Sequence, residues 1–212
     1  MKSIVFKIET AGLPKDEILH LMPHFEAPSN YKDAEKIQAY KAKKEEEWLL
    51  DSASSPLSGK ILAIGVQPDG GVFELISDDD EAELLTRFWA FYRENSDAAF
   101  VGFGTSLFDI PYILKRSWKH SVMVPFGIVN GRFLNGNFAD LLQHWGCGQS
   151  ERASLNNVAK FFGIEEDATD GSKFSDMWLV NREAASSQLE SKLRFVRTIG
   201  ERLGVIDEED GF

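Results

Sequence analysis

The first strand of the chain constrains its fold more than any other stretch. Residues 3–14 contain a β-branched and aromatic run, alternating from Ile4 to Ile8, that ends at a Gly-Leu-Pro turn. This pattern predicts a strand that stops at a turn. Lys7 and Glu9 lie two residues apart near the end of the run, so both side chains leave the same face. Sites in α/β proteins are commonly built at that end of a strand, which makes this pair a candidate site.

Size and composition predict one globular domain. The chain has 212 residues, of which 43% are hydrophobic, enough for one sizeable core. Cys147 is the only cysteine, which excludes an internal disulfide and indicates a reducing compartment, so we expect the protein in the cytoplasm. We expect neither a signal peptide nor a membrane span. The net charge of −11 argues against nucleic-acid binding over the whole surface but allows a local basic groove.

The order of predicted elements indicates the class of fold. A first strand is followed by a helical insertion at about 15–58, with one helix over about 32–50 that Asn30 would cap. Later elements are a hairpin of strands 60–67 and 72–76, a helix after Asp80, a strand at 98–103, a helix from 108, and closing helices, the last over about 184–203. Early strands and late helices suit an α/β fold with a mixed sheet and helices on both faces.

Four segments of the chain carry a family resemblance: Phe6–Thr10, Ser58–Gly65, Val101–Tyr112 and Glu201–Gly204. The third is the most specific, because Gly-Phe followed by Phe-Asp-Ile-Pro-Tyr is a long match in spacing and type. Together they resemble the DEDD-type 3′–5′ exonucleases, in particular bacterial proteins similar to the proofreading exonuclease domain of family-B DNA polymerases. The resemblance covers most of the chain. It implies an RNase H-like fold with a mixed five-stranded sheet and helices on both faces, as a single domain over 1–212.

The resemblance also implies a chemistry and a partner. Exonucleases of this type hold two divalent cations about 3.5–4 Å apart with four carboxylates, and the cations activate water and stabilise the leaving oxygen. Mg²⁺ or Mn²⁺ would therefore be the cofactor of an active enzyme, and an inactive relative would need none. The implied ligand is nucleic acid, with a single-stranded 3′ end. A protein partner is a further expectation, and a membrane is not.

Carried over residue by residue, the family pattern is only half preserved. Glu9 matches the second family acid and Asp109 the third. The position of the first acid holds Lys7, and counting back from the end of the last helix places the fourth at Lys192. Gln188 stands where the family has a Tyr or His that orients or deprotonates the water. Glu9 and Asp109 are thus the metal ligands that remain, if a metal binds at all.

The resemblance also implies positions that contact the substrate. Thr10 and Leu13 match positions at which relatives touch the terminal nucleotide. Phe103 and Gly104 belong to the glycine–aromatic loop that precedes the third acid, and Gly104 stands where relatives often carry Asn. We expect all four residues to line the place of a bound strand.

Charge arithmetic distinguishes this chain from an ordinary nuclease. Glu9 and Asp109 contribute −2 while Lys7 and Lys192 contribute +2, so the formal sum is zero. A protonated ammonium cannot ligate a metal and repels a cation nearby. Gln188 cannot act as a general base. The sequence therefore predicts no ordinary two-metal site, and we expect the two lysines to pair with the two acids in place of cations.

Three functions remain open at this stage. The first is a catalytically impaired exonuclease-like domain that binds nucleic acid. The second is an active metal-dependent 3′–5′ exonuclease with an atypical site, for which Asp140 or Glu190 could supply a further acid, although Asp140 is equally suited to capping a helix. The third is a protein-binding scaffold domain whose acidic surface and charged insertion form the interface.

Overall fold

The architecture comes from a computed structural model that describes residues 2–130, 133–134, 137–149, 153–164 and 171–207. The chain divides into two compact units, one of residues 1–9 with 61–212 and one of residues 10–60. The single domain over 1–212 stays a prediction. Within the described residues, no helix is long and apolar enough to cross a membrane.

Seven strands and eight helices are described, besides two short 3-10 turns. The strands are β1 (Ser3–Gly12), β2 (Gly59–Pro68), β3 (Glu74–Ile76), β4 (Ala99–Gly102), β5 (Val129–Asn130), β6 (Phe133–Leu134) and β7 (Phe138–Asp140). The helices are α1 (Lys15–Ile18), α2 (Ala34–Asp51), α3 (Glu81–Glu94), α4 (Asp109–Lys119), α5 (Leu141–Trp145), α6 (Leu155–Phe161), α7 (Gly171–Val180) and α8 (Arg182–Arg202).

Five of the strands form one mixed sheet in the order β3-β2-β1-β4-β7. Strand β4 is parallel to β1 and to β7, whereas β2 and β3 pair antiparallel as the predicted hairpin. Strands β5 and β6 form a separate two-stranded ribbon. The predicted α/β, RNase H-like fold with a mixed five-stranded sheet is therefore confirmed.

Strand β1 separates two layers of helices because its side chains alternate. Ile4, Phe6 and Ile8 pack with residues of α3 and α4 on one face of the sheet. Val5 packs on the other face with residues of α6 and α8, among them Val196. This alternation directs Lys7 and Glu9 to the same side as Val5, towards the closing helices. Helices thus cover both faces, and the candidate site lies between the sheet and α8.

Most predicted boundaries are close to the observed ones, with two exceptions. Helix α2 begins after Asp33, whose side chain accepts a hydrogen bond from Glu35 N at 2.9 Å, so the prediction of Asn30 as its cap is wrong. Asp33 is nearer the helix and, like Asn30, is a strong capping residue, so residue type alone did not choose between them. Strand β3 begins at Glu74 rather than residue 72.

The smaller unit, residues 10–60, contains α1 and α2. Helix α2 runs for 18 residues and none of them is buried. Its charged run, with Lys44 donating to Glu47 at 2.6 Å, is a solvated helix face, as the interspersed charges indicate. Leu13 N donates to Ser58 O at 2.9 Å and joins the start of the unit to its end.

Candidate functional site

The first ion pair of the site joins strand β1 to the start of α4. Lys7 Nζ lies 2.8 Å from Asp109 Oδ1 and 2.9 Å from Oδ2, and Ile8 N donates to Asp109 Oδ1 at 3.3 Å. Asp109 is the first residue of α4, where the helix dipole favours a negative charge. Its side chain is fully buried, while that of Lys7 is 19% exposed. The carboxylate is therefore held by three hydrogen bonds from two groups of one strand.

The second ion pair joins strand β1 to the closing helix. Lys192 Nζ lies 2.5 Å from Glu9 Oε1, and the side chains are only 8% and 5% exposed. Helix α8 presents Lys192 between Leu189 and Leu193, which pack into the core and fix the rotation of the helix. Because the pair is removed from water, loss of either side chain would leave the charge of the other buried and uncompensated, which is costly.

An aromatic ring accompanies each ammonium group. Lys7 Nζ lies 5.6 Å from the ring centroid of Phe108, and Lys192 Nζ lies 5.7 Å from that of Phe174. A cation near an aromatic face is stabilised by about 0.5–2 kcal/mol. Sequence analysis did not identify either ring as part of the site. The family motif gave a signal for Phe108, which directly precedes Asp109, but Phe174 has no local signal.

The four groups interact as one electrostatic unit, which we call the lysine cluster: Lys7, Glu9, Asp109 and Lys192. Burial raises the pKa of Glu9 above its ordinary value, although Lys192 and then Lys7 oppose the rise and Asp109 adds to it. The two carboxylates and two ammonium groups sum to zero. The pairing of both lysines with both acids, expected from the sequence, is confirmed.

Gln188 lies one turn before Lys192 on α8. Its side-chain oxygen is buried and has no hydrogen-bond partner among the residues that the structure describes. A carboxamide has no basic site that could take a proton from water at neutral pH. The predicted role of Gln188 as a replacement for the family's Tyr or His stays a prediction.

Asp140 is fully engaged in holding a loop. Its carboxylate accepts hydrogen bonds from Gly104 N at 2.8 Å, from Ser106 N at 2.9 Å, from the Ser106 hydroxyl, and from Leu142 N at 3.0 Å as the cap of α5. A carboxylate with four such donors has a structural task already. The geometry therefore favours the capping interpretation over its recruitment as a further catalytic acid.

The donor set does not fit a pair of divalent cations. Mg²⁺ and Mn²⁺ need several oxygen ligands, but each carboxylate of the lysine cluster is occupied by an ammonium group. Over the described ranges, no group of three or more His, Cys, Asp or Glu residues could hold a metal ion.

The four residues predicted to contact the substrate lie in different parts of the structure. Phe103 is buried in the core with Leu193, so its ring faces the protein interior. Gly104 has a φ of +70°, a left-handed conformation that glycine adopts without steric cost. Thr10 and Leu13 belong to the smaller unit, residues 10–60. Their substrate contacts stay predictions.

The comparisons with known proteins concern the fold. No protein-family model and no curated protein sequence matches the chain. Among solved structures, it is similar to the family B DNA polymerase from the hyperthermophilic archaeon Pyrobaculum calidifontis, with a TM-score of 0.63 and 18% sequence identity. The match covers 96% of this chain and 24% of the polymerase, so the chain spans about a quarter of that protein. An RNase H-like α/β fold is what the architecture and this likeness establish together.

Proposed function

We propose that this chain is an exonuclease-fold domain that binds a single-stranded 3′ end of nucleic acid and does not cleave it. The observation that carries the proposal is the lysine cluster, in which Lys7 and Lys192 neutralise the two remaining acids. The likeness to a DNA polymerase supports nucleic acid as the ligand.

The charges of the lysine cluster explain the loss of cleavage. Two-metal cleavage of a phosphodiester requires carboxylates that attract two cations to the scissile phosphate. Here a positive charge is supplied by side chains that cannot activate a bound water, because a protonated ammonium has no free electron pair. With Gln188 in place of a base, the described residues around the lysine cluster offer neither a metal ligand set nor a group that accepts the proton.

Lys7 is the member of the cluster suited to contacting the ligand. Its ammonium has three N–H donors and gives two hydrogen bonds to Asp109. No other acceptor for it lies within hydrogen-bond distance in the part of the chain that the structure describes. Because its side chain is partly exposed, the remaining donor is available for a phosphate oxygen, whereas Lys192 is almost fully buried.

The test replaces the lysines by the acids that the family would have. The double variant K7D/K192D turns the cluster from a formal charge of zero to −4, and we expect it to bind Mn²⁺, measured by the loss of the free-ion signal in electron paramagnetic resonance. The unaltered chain should leave that signal unchanged, should bind a labelled single strand in the presence of a chelator, and should not shorten it when Mn²⁺ is supplied.

A matched control has the same change of charge elsewhere. Lys32 is exposed, and Lys36 is an exposed residue of α2, so K32D/K36D alters the net charge equally without touching the cluster. Cleavage by the unaltered chain that disappears in Glu9→Gln would contradict the proposal and favour an active exonuclease. Absence of any nucleic-acid binding would favour the scaffold function instead.

The location that accompanies this function is the cytoplasm. The sequence has one cysteine, Cys147, and it is exposed with a free thiol. An exposed free thiol persists most readily in a reducing compartment.

A further inference from the structure

The acidic residues of the chain are unevenly distributed. The sequence has 34 of them, yet none between Asp109 and Asp140, a stretch that contains Lys115, Arg116 and Lys119. In a chain with a net charge of −11, this stretch is locally basic. Most of it, including α4 and the segment that follows as far as residue 130, lies in the described structure.

Helix α4 exposes a basic and aromatic face at its C-terminal end. Lys115, Trp118 and Lys119 are three to four residues apart, so their side chains lie on one side of the helix. All three are exposed, Trp118 at 60%. Neither lysine forms an ion pair with any described residue. Arg116, by contrast, points inwards and is paired with Glu81.

The segment after α4 adds two more apolar side chains to the surface. Val122 and Val124 pack against the core and Ile128 belongs to it, whereas Met123 is 78% exposed and Phe126 fully exposed. Along this segment, residues that pack against the core alternate with residues that are exposed. The packed residues fix the direction in which the exposed side chains point. The exposure is therefore set by packing on both sides of each exposed residue.

Hydrogen bonds to backbone carbonyl groups hold this segment in place. Ser121 has a φ of +56° at the end of α4, and Val122 N donates to Ser117 O at 2.9 Å, which closes the helix. Arg93 of α3 donates from Nη2 to Met123 O at 3.0 Å. A left-handed conformation costs energy in a residue with a side chain, so a strained turn precedes the exposed groups.

We call these exposed residues, three on one side of α4 and two on the segment that follows it, the basic–aromatic surface: Lys115, Trp118, Lys119, Met123 and Phe126. Its residues on α4 lie towards the opposite end of the helix from Asp109, about 9–15 Å away along the helix axis at the usual rise per residue. It is therefore separate from the lysine cluster.

The chemistry of this surface selects one kind of partner. Lysines without ion-pair partners suit phosphates, and exposed rings suit the flat faces of unstacked bases. A protein interface would favour the apolar groups but is usually depleted in lysine. Double-stranded nucleic acid would offer phosphates but no accessible base faces for Trp118 and Phe126. The combination of both groups on one surface fits a single strand.

We propose that the basic–aromatic surface binds single-stranded nucleic acid, with Lys115 and Lys119 on the phosphates and Trp118 and Phe126 stacked on bases. The inference rests on the proposed function in one respect, that the ligand is nucleic acid. It goes beyond it by placing a second contact region outside the lysine cluster.

The test measures the affinity of the full chain for a fluorescein-labelled oligothymidylate of about 16 nucleotides by fluorescence anisotropy. We expect K115E/K119E to weaken binding at least tenfold and Trp118→Ala to weaken it about tenfold, while Trp118→Phe retains most of the affinity because its ring still stacks. Each phosphate contact to a single strand contributes about 0.7 to the slope of log affinity against log salt, so K115E/K119E should lower that slope by about 1.4.

The control K32E/K36E reverses two exposed lysines elsewhere and should change the affinity less than twofold. Equal losses in K115E/K119E and in the control would overturn the proposal while leaving the proposed function standing. If the unaltered chain binds no oligonucleotide, both are wrong. If K115E/K119E instead dissolves a dimer seen by analytical ultracentrifugation and leaves binding intact, the surface is a contact between copies and the proposal is overturned.

Discussion

Two ionic clusters pack beside the same sheet, and they differ in how completely their carboxylates are bound. In the lysine cluster, Glu9 has one described ammonium partner. At the start of α3, Glu81 accepts hydrogen bonds from Ile61 N at 2.8 Å, from Arg116 Nε at 2.9 and 3.1 Å, and from Arg116 Nη2, and lies 2.9 Å from His120 Nε2. We call this second group the Glu81 cluster.

The pKa values of the two glutamates respond in opposite directions. Burial acts on both to raise the pKa, and for Glu9 the rise prevails. For Glu81 the hydrogen bonds from Arg116 and Ile61 outweigh burial, so its pKa lies below the ordinary value. A carboxylate held by several donors stays charged in the interior, whereas one held by a single ammonium is easier to neutralise. We therefore expect the Glu81 cluster to contribute more to the stability of the fold than the pair of Glu9 and Lys192.

The largest expected effect is the loss of the arginine of the Glu81 cluster. Arg116→Met should destabilise the protein by about 4 kcal/mol, because it leaves a buried glutamate without its main counter-charge. Urea unfolding followed by circular dichroism measures the change. The double variant E81Q/R116M should recover part of the loss, since no charge is left alone. If Arg116→Met destabilises the protein less than Lys192→Met does, our ranking of the two clusters by their contribution to stability is reversed.

A smaller effect is expected when the lysine cluster loses its buried lysine. Lys192→Met should cost about 3 kcal/mol at neutral pH, because Glu9 is left without its ammonium partner. Glu9 can protonate to escape this cost, so the difference from the unaltered chain should shrink as the pH falls. The same unfolding experiment at several pH values tests this. A cost independent of pH would mean that Lys192 stabilises through packing alone.

The smallest effect is a change in the pH dependence of stability. The pKa of Glu9 is raised in the folded protein. The stability that Glu9 contributes is therefore present below pH 4.5, its ordinary pKa, and is lost as the pH rises through the folded pKa. The pKa of Glu81 is lowered in the folded protein. The stability that Glu81 contributes is therefore present above pH 4.5 and is lost as the pH falls through the folded pKa. Glu9→Gln should therefore remove a decline in stability towards neutral pH, and Glu81→Gln a decline towards acid, in thermal unfolding midpoints. Profiles of the same slope in both variants would contradict the opposite shifts.

Much of the fold could be predicted because its signals are local. Alternation from Ile4 to Ile8 marks a buried strand, the turn from Pro68 to Gly71 marks a hairpin, and Ser154 marks the start of α6, where its side chain accepts from Asn157 N. Each of these depends on residues within a few positions of one another. The cap of α2 was missed since two suitable capping residues, Asn30 and Asp33, compete within a short segment.

The candidate site was only partly predictable. A motif matched by spacing identified Lys7, Glu9 and Asp109, and counting along the last helix identified Lys192. Nothing local identified Phe174 beside Lys192, or the partnership of Glu81 with Arg116, which are 35 positions apart. Such contacts depend on how α3, α4, α7 and α8 are placed against the sheet.

The sequence by itself determined that the candidate site combines two lysines with two acids, and hence that its formal charge is zero. Only the tertiary structure decided which lysine binds which acid. Lys7 and Glu9 leave the same face of one strand, yet Lys7 binds Asp109 and Glu9 binds Lys192. The reason is geometric: α4 brings Asp109 beside Lys7, and α8 brings Lys192 over Glu9, and both placements follow from core packing between elements far apart in the chain.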